Sequence, residues 1–454
     1  MPPPDILILG AGASGLSAAI ELARAGLRIE ILEARDRVGG RIFTQHDPNV
    51  NHAVELGAEF VHGLAPETWL PLQQNNVPVT EVEGELWCSM NGKLQPCNFF
   101  AQTEEILAAM DDQSPDESFL DFLARRFPGR EHDEAKQWAT GYVSGFNAAD
   151  PAQVSVQWLV HNRRADEQIE GDRAFRIAGG YQTLLNLFQN ELNSLGVPVQ
   201  LNTVARRVDW RPDFVEMTAH TEVGDSTFKA SRALITLPLG VLQAVPGSVL
   251  FHPDLPREKQ FALQKLAMGK VVRVTLCFRD RFWQSLRPTG QDLAREDTAR
   301  KDAAREDKTL TNLSFLFSHD DLFPTWWTQM PLPLPVISGW APAQSAEHLS
   351  GMSEHQIIEK AMASLSGLLR LEQSEVESQL TAYFHDWDSD PFSRGAYSYA
   401  KVGGEGCQQT LAAPIENTLF FAGEATDTGG HNGTVHGAIA SGKRAAKEIL
   451  GASR

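Results

Sequence analysis

The sequence predicts an α/β (α+β) protein, a Rossmann-like domain interleaved with a second domain of mixed sheet and helices. Three observations predict it. Residues 5–33, "DILILGAGASGLSAAIELARAGLRIEILE", read as strand, glycine turn, helix and strand. Residues 178–192, "AGGYQTLLNLFQNEL", return to a glycine turn and an amphipathic helix. The chain closes on "TLFFAGEA" and "HNGTVHGAIASGKRAAKEIL", again a strand and a helix.

Each element follows from its residues. Ile6 to Leu9 form an apolar run short enough for a buried parallel strand. Gly10, Gly12 and Gly15 then give G-x-G-x-x-G. Gly10 permits the tight turn, Gly12 lets the backbone approach a pyrophosphate, and Gly15 lets helix and strand pack closely. Ala13 and Ser14 open a helix whose N-terminus suits phosphate. Leu16 to Ala25 have helical spacing, Gly26 stops the helix, and Arg28 to Leu32 form the second strand. Glu33, at its end, suits a ribose diol. "EARDRVGGRI" follows directly. Arg35 and Arg41, with Ala34, Gly39 and Gly40 between and beside them, place two guanidiniums near the phosphate loop, which suits a bound pyrophosphate better than a mere surface charge.

Beyond residue 79 the character changes. Residues 80–183 are irregular and aromatic, with helical stretches near 101–126 and 132–146. Strands are expected near 197–209, 213–221 and 227–236. Residues 263–389 mix strands with a helix near 353–370. The first domain therefore comprises 1–79, 184–262 and 390–454, and the second 80–183 and 263–389. Residues 294–308, "AREDTARKDAAREDK", repeat with period five. That period builds no apolar stripe, so 289–309 reads as a charged, solvent-exposed insertion between strands ending near Phe282 and starting near Leu310.

Composition bounds the function. A chain of 454 residues exceeds one ordinary core, and 42% hydrophobic residues suit a globular protein. No apolar run approaches the roughly 20 residues of a membrane span, and the first residues lack a signal pattern, so a cytoplasmic protein without membrane contact is expected. A net charge of −18 argues against nucleic acid. Cys88, Cys97, Cys277 and Cys407 have neither metal nor redox spacing, so free thiols and no metal site are expected.

Two further blocks carry chemistry. "ELGAEFVHG" (55–63) sets Gly57 and Ala58 between acids, and such a pair lets a flat ring lie against the backbone. His62 follows; from its residues alone it also reads as a satisfied loop histidine. "FFAGEATDTGGHNGTVHGAIASG" (420–442) ends in a helix with no acid between Gly433 and Gly442. An anionic ligand edge would suit that positive helix end.

These blocks, with "AGGYQTL", "ALITLPLGVL", "MGKVVRVTLCF" and "DPFSRGAYSY" in the same order, resemble the flavin-dependent amine oxidases: monoamine oxidases, polyamine oxidases and flavin-type histone lysine demethylases. The resemblance covers nearly the whole chain, and "TVHGA" is nearest the polyamine-oxidase and demethylase branch. It implies that the interleaved domain binds FAD. Glu33 would hold the adenosine ribose, and Val204 would contact adenine through its backbone. Glu424, after Gly423, would lie near the ribityl or pyrophosphate region, and Trp387 beside the ring. The last helix, beginning near Thr434 and Val435, would face the reduced ring. The family's tethering cysteine falls on Ala396, which implies non-covalent flavin. Tyr397 matches one wall of the aromatic cage for a neutral amine. The opposite wall falls on Thr434, and His62 resembles the "HG" of polyamine oxidases. The family lysine near the ring falls on Arg273, not Lys270, which an odd register slip would turn to the opposite face.

The implied activity is oxidation of a small-molecule amine to an imine, hydrolysed to aldehyde, with O2 reduced to H2O2, by a monomer or homodimer. Arg273 cannot accept a proton near neutral pH, so slower reoxidation by O2 is expected. Glu59 would repel a carboxylate and suit a second ammonium. The alternatives are an L-amino-acid oxidase on the same fold and a flavin-binding protein with little turnover.

Overall fold

The computed structural model describes residues 3–47, 50, 52–90, 93–287, 309–319, 322–377 and 381–452. The repeat at 294–308 lies outside the described residues.

A five-stranded parallel sheet organises the molecule. Its order is Val199–Gln200, Ile29–Leu32, Ile6–Leu9, Arg232–Ile235 and Leu419–Phe421. Ile6–Leu9 is buried at every residue, as a strand covered on both faces requires. Helices Ala13–Arg24, Gln182–Ser194 and Val435–Ala452 share one apolar core with it. Small residues let the first and last helices cross closely. A Cβ on Gly442 would sit 2.3 Å from the Ser14 carbonyl, and the Ser14 and Ser441 hydroxyls are 3.3 Å apart. The start of the first helix thus packs against the middle of the last, and the first residues of both helices line one cavity.

The segment expected as one strand at 227–236 divides at Ser231. Gly224–Ala230 belongs to a mixed sheet, antiparallel to Phe214–Thr221, which runs antiparallel to Val204–Arg211, with Leu250–His252 parallel to the last, while Arg232–Ile235 enters the parallel sheet. Similarly, 197–209 becomes Val199–Gln200 and Val204–Arg211, in different sheets. Continuous apolar pattern does not reveal a change of partner.

A seven-stranded sheet faces the other side of the site. Its order is Thr381–Asp386, Val271–Cys277, Val336–Pro342, Thr325–Thr328, Leu313–Phe317, Glu85–Met90 and Lys93–Pro96. The expected helix at 101–126 is two helices, Phe99–Ala108 and Phe119–Arg126. The break is local chemistry: Asp111 accepts the N–H groups of Gln113 and Ser114, and Ser118 caps the second helix. Helix Val156–Gln168, capped by Ser155, was hidden in a stretch that reads as irregular. No helix among the described residues is long and apolar enough to cross a membrane.

The expectation of four free thiols fails. Cys88, on strand Glu85–Met90, forms a disulfide with Cys97, just past the adjacent edge strand Lys93–Pro96, and only Cys277 and Cys407 are free. Antiparallel register brings them together, with the Cys97 N–H donating to the Leu86 carbonyl at 3.0 Å. Spacing alone carries no such information.

Candidate active site

Three glycines build the first wall of the site, each for a different reason. Gly10 has φ +103°, open to glycine at no cost. A Cβ on Gly15 would lie 2.0 Å from the Gly10 carbonyl, so helix and strand could not pack. A Cβ on Gly12 would meet nothing within 4 Å, and that open space is where a ligand backbone approaches. Glu33 accepts the N–H groups of Ala11 (2.7 Å) and Arg35 (3.0 Å). Burial raises its carboxyl above the usual range, and those two N–H groups oppose the rise.

A cavity of about 1380 Å³ extends from this wall into the space between the sheets. Gly10, Gly12, Ala13, Ser14, Glu33, Ala34, Arg35, Gly39, Gly40, Arg41, Gly57, Ala58 and Glu59 all line it. So do His62, Val204, Arg273, Trp387, Tyr397, Gly423, Glu424, Thr434 and Val435. Gly15 does not; its role is packing. The Ser14, Val435 and His436 backbone N–H groups have no acceptor among the described residues. Two helix N-termini thus present donors to one cavity. No acidic residue occupies the first turn of the last helix.

Several side chains are held differently from expectation. Arg35 closes its fork on Asp390, at 2.7 and 2.8 Å, and donates to Ser393. Burial would raise the Asp390 carboxyl, but His385 and Arg35 hold it below the usual range. The Arg35 charge is therefore engaged within the protein instead of being reserved for pyrophosphate. Arg41 donates through Nη1 to the Ala396 carbonyl (2.7 Å) and to Glu424 (2.8 Å). Glu424 also accepts from the Ser398 hydroxyl (2.6 Å) and the Gly433 N–H (3.0 Å). It thus clamps the loop before the last helix to the strand beside Tyr397. Trp387 is fixed by donation to the Leu56 carbonyl at 2.8 Å.

Glu59 is the largest correction. It accepts from Arg273, from Arg176 (2.8 Å), from Trp327 (3.0 Å) and from Gln329 (3.1 Å). Burial alone would raise its pKa, but Arg273 and then Arg176 outweigh it and hold the carboxyl down at about 2. Two guanidiniums share one carboxylate, so the group carries net positive charge and does not suit a second ammonium. Arg273 also donates to the Gly57 carbonyl at 3.0 Å and stacks 5.2 Å from the Trp327 ring centroid. Lys270 points elsewhere, 3.6 Å from Glu347 and 3.8 Å from Asp388.

Thr434 lines the cavity and also caps the last helix. Its hydroxyl accepts the Gly437 N–H (2.9 Å) and donates to the His431 carbonyl (2.7 Å). Tyr397 donates to the Phe146 carbonyl at 2.8 Å, and its ring lies against Gly433. Trp340 packs with Tyr397 and Ala396. Strand pairing sets His62 opposite Ala174, its side chain makes no hydrogen bond among the described residues, and burial lowers its pKa. Arg176, Trp327, Trp340 and Asp166 were missed because their meaning lies in partners distant in sequence.

The fold and the cavity define a nucleotide-binding architecture with an aromatic-lined chamber. The chain matches the model of the flavin containing amine oxidoreductases over residues 13–450, and it belongs to that family. Its cofactor is accordingly a flavin, and the open glycine wall and paired helix N-termini fit such a group. Lysine-specific histone demethylase 1 homolog 2 of Oryza sativa subsp. japonica is 28% identical over 480 residues, covering 100% of this chain and 59% of that protein. Polyamine oxidase 2 of Arabidopsis thaliana is 28% identical over 479 residues, covering 98% and 88%. The chain spans only 53–59% of the length of the plant demethylase homologues. A putrescine oxidase structure superposes with TM-score 0.78 over 99% of both chains at 21% identity, a likeness of fold.

Proposed function

We propose that this protein oxidises a primary or secondary amine bearing a second cationic group, with non-covalently bound FAD. One observation carries the reading. In the outer part of the cavity, Arg163 is paired with Glu104 and Glu167, and Arg173 with Glu81 and Glu170. Glu83, Asp166 and Asp172 line the same space with no Arg or Lys bridge among the described residues. The chamber therefore offers surplus carboxylate to a cation. Deeper in, Arg273 and Arg176 are both committed to Glu59, which leaves neither as a clamp for an amino-acid carboxylate.

Bound FAD would supply the two-electron oxidation of the amine to the imine, in which the carbon loses a hydride and the nitrogen a proton, with O2 taking up the two electrons and two protons as H2O2. The imine adds water to give aldehyde and the released amine. The chain's residues do the rest. Tyr397 and Trp340 supply an aromatic wall that orients a neutral amine. Gly57, Ala58 and Trp387 supply a flat surface. Both helix N-termini favour negative charge on the bound group. Ala396 offers no thiol for a tether.

The similarity to a polyamine oxidase supports a substrate with more than one cationic group. Anaerobic mixing with spermidine, putrescine, n-butylamine, L-amino acids and a methyl-lysine peptide tests the reading. Flavin bleaching fastest with the di- and triamines is expected. Bleaching by amino acids alone would overturn it, and a preference for the peptide would move the assignment to the demethylase side of the family.

A further inference from the structure

One carboxylate of the acidic outer chamber has a titratable counter-charge. Asp166, on helix Val156–Gln168, lines the cavity and is 39% exposed. Among the described residues it accepts no side-chain hydrogen bond. The basic group within reach is His431, whose Nδ1 lies 3.9 Å from the carboxylate. That is too long for a hydrogen bond and short enough for a strong charge interaction.

His431 stands behind Asp166, held by its backbone. Its N–H donates to Asp427 (2.8 Å), its carbonyl accepts from Thr434 (2.7 Å), and its ring packs edge-on to His436 at 4.8 Å. The surrounding charges come from every neighbouring element. Asp427 lies on the same loop, Glu67 on helix Pro66–Gln74, His62 on strand Val61–His62 and His436 on the last helix. On the helix of Asp166, Arg163 is tied to Glu104 and Glu167, and His161 lies 3.6 Å from Glu405. Tyr142, on helix Asp133–Phe146, feels the Asp166 charge from the other side.

Burial opposes the charged form of His431, yet Asp166, Asp427 and Glu67 together raise its pKa above the ordinary histidine value. His436 is pushed down to about 3 by burial, with His431 and His62 beside it, and stays neutral. His62 is lowered by burial. Of the three histidines, His431 is the one biased toward the cation.

We propose that His431 is a pH-dependent counter-ion of Asp166, so that the distal ammonium of a diamine gains this carboxylate only when His431 is neutral. The proposal rests on the reading of the cavity as an amine chamber. Below the His431 pKa, imidazolium neutralises Asp166. Above it, Asp166 presents its full charge to the cavity. A diamine therefore gains on a monoamine as pH rises. Deprotonation of the reacting amine is common to both and largely cancels in the ratio.

The test uses the holoenzyme with 1,4-diaminobutane and n-butylamine, reading apparent Kd from anaerobic flavin reduction between about pH 6 and 9. The diamine preference should rise about fivefold in the wild type, the scale of a partly exposed ion pair. It should stay high and flat in His431→Gln, and low and flat in Asp166→Asn. A flat wild-type ratio, or a rise that persists in His431→Gln, overturns the proposal. Histidine NMR decides it without turnover, the His431 signal being assigned by its loss in His431→Gln. The His431 pKa should fall in Asp166→Asn, and fall further with 1,4-diaminobutane than with n-butylamine in the wild type. An unchanged titration in either comparison overturns the proposal. Absence of flavin reduction by both amines would refute the amine-oxidase reading and leave this NMR comparison to decide the pair.

Discussion

The Arg273 guanidinium donates to the Glu59 carboxylate and, at 3.0 Å, to the carbonyl of Gly57. It therefore ties the floor of the reaction chamber to the loop against which the flavin is expected to lie. Arg273 is 2% exposed and Glu59 7%, so the interaction is screened little by solvent.

Glu59→Gln should unsettle the fold more than it changes substrate preference. It leaves Arg273 and Arg176 sharing no anion, a loss of roughly 3–5 kcal/mol for a buried pair. Urea unfolding with flavin bound should show the drop. A full-strength fold with weakened diamine binding alone would restore Glu59 to the role of substrate anchor.

The same pair has a pH signature. Glu59 is depressed from 4.5 to about 2, so its contribution is fully present above about pH 4.5 and is lost as pH falls through about 2. The stability gap between wild type and Glu59→Gln should narrow across that window. A gap independent of pH from 5 down to about 2 would show that packing, not charge, holds the cluster.

Arg273→Lys shortens the side chain and removes the planar fork, exchanging two fixed donors for a group that can lose its proton. Reduced Arg273→Lys should react with O2 faster than reduced wild type in stopped-flow mixing. Equal rates would mean that arginine is a tolerated substitution here.

Gly12→Ala and Gly15→Ala should fail in different ways. The first adds a methyl to open space and should give folded protein with weakened flavin retention. The second drives a Cβ to within 2.0 Å of the Gly10 carbonyl and should prevent folding. Far-UV circular dichroism and flavin absorbance separate the two outcomes.

Alkylation of the denatured, unreduced protein should label two cysteines, Cys277 and Cys407, and all four after reduction. Four labels without reduction would return Cys88 and Cys97 to free thiols.

The sequence by itself determined what local pattern can encode. The apolar run Ile6–Leu9, the three glycines, Glu33 and the small-residue closing helix each follow from a few neighbouring residues with a mechanical reason. Their order made the family legible. Tertiary structure decided the partners. Glu59 meets Arg176 and Arg273, Arg35 meets Asp390, and Asp166 meets His431 only after strands and helices distant along the chain have packed. The pairing of Cys88 with Cys97 needed the register of strand Glu85–Met90 against the edge strand Lys93–Pro96. Residue type fixes which charges exist, but whether a charge faces a substrate or another side chain depends on sheet register and helix crossing, and these are collective properties of the packed core.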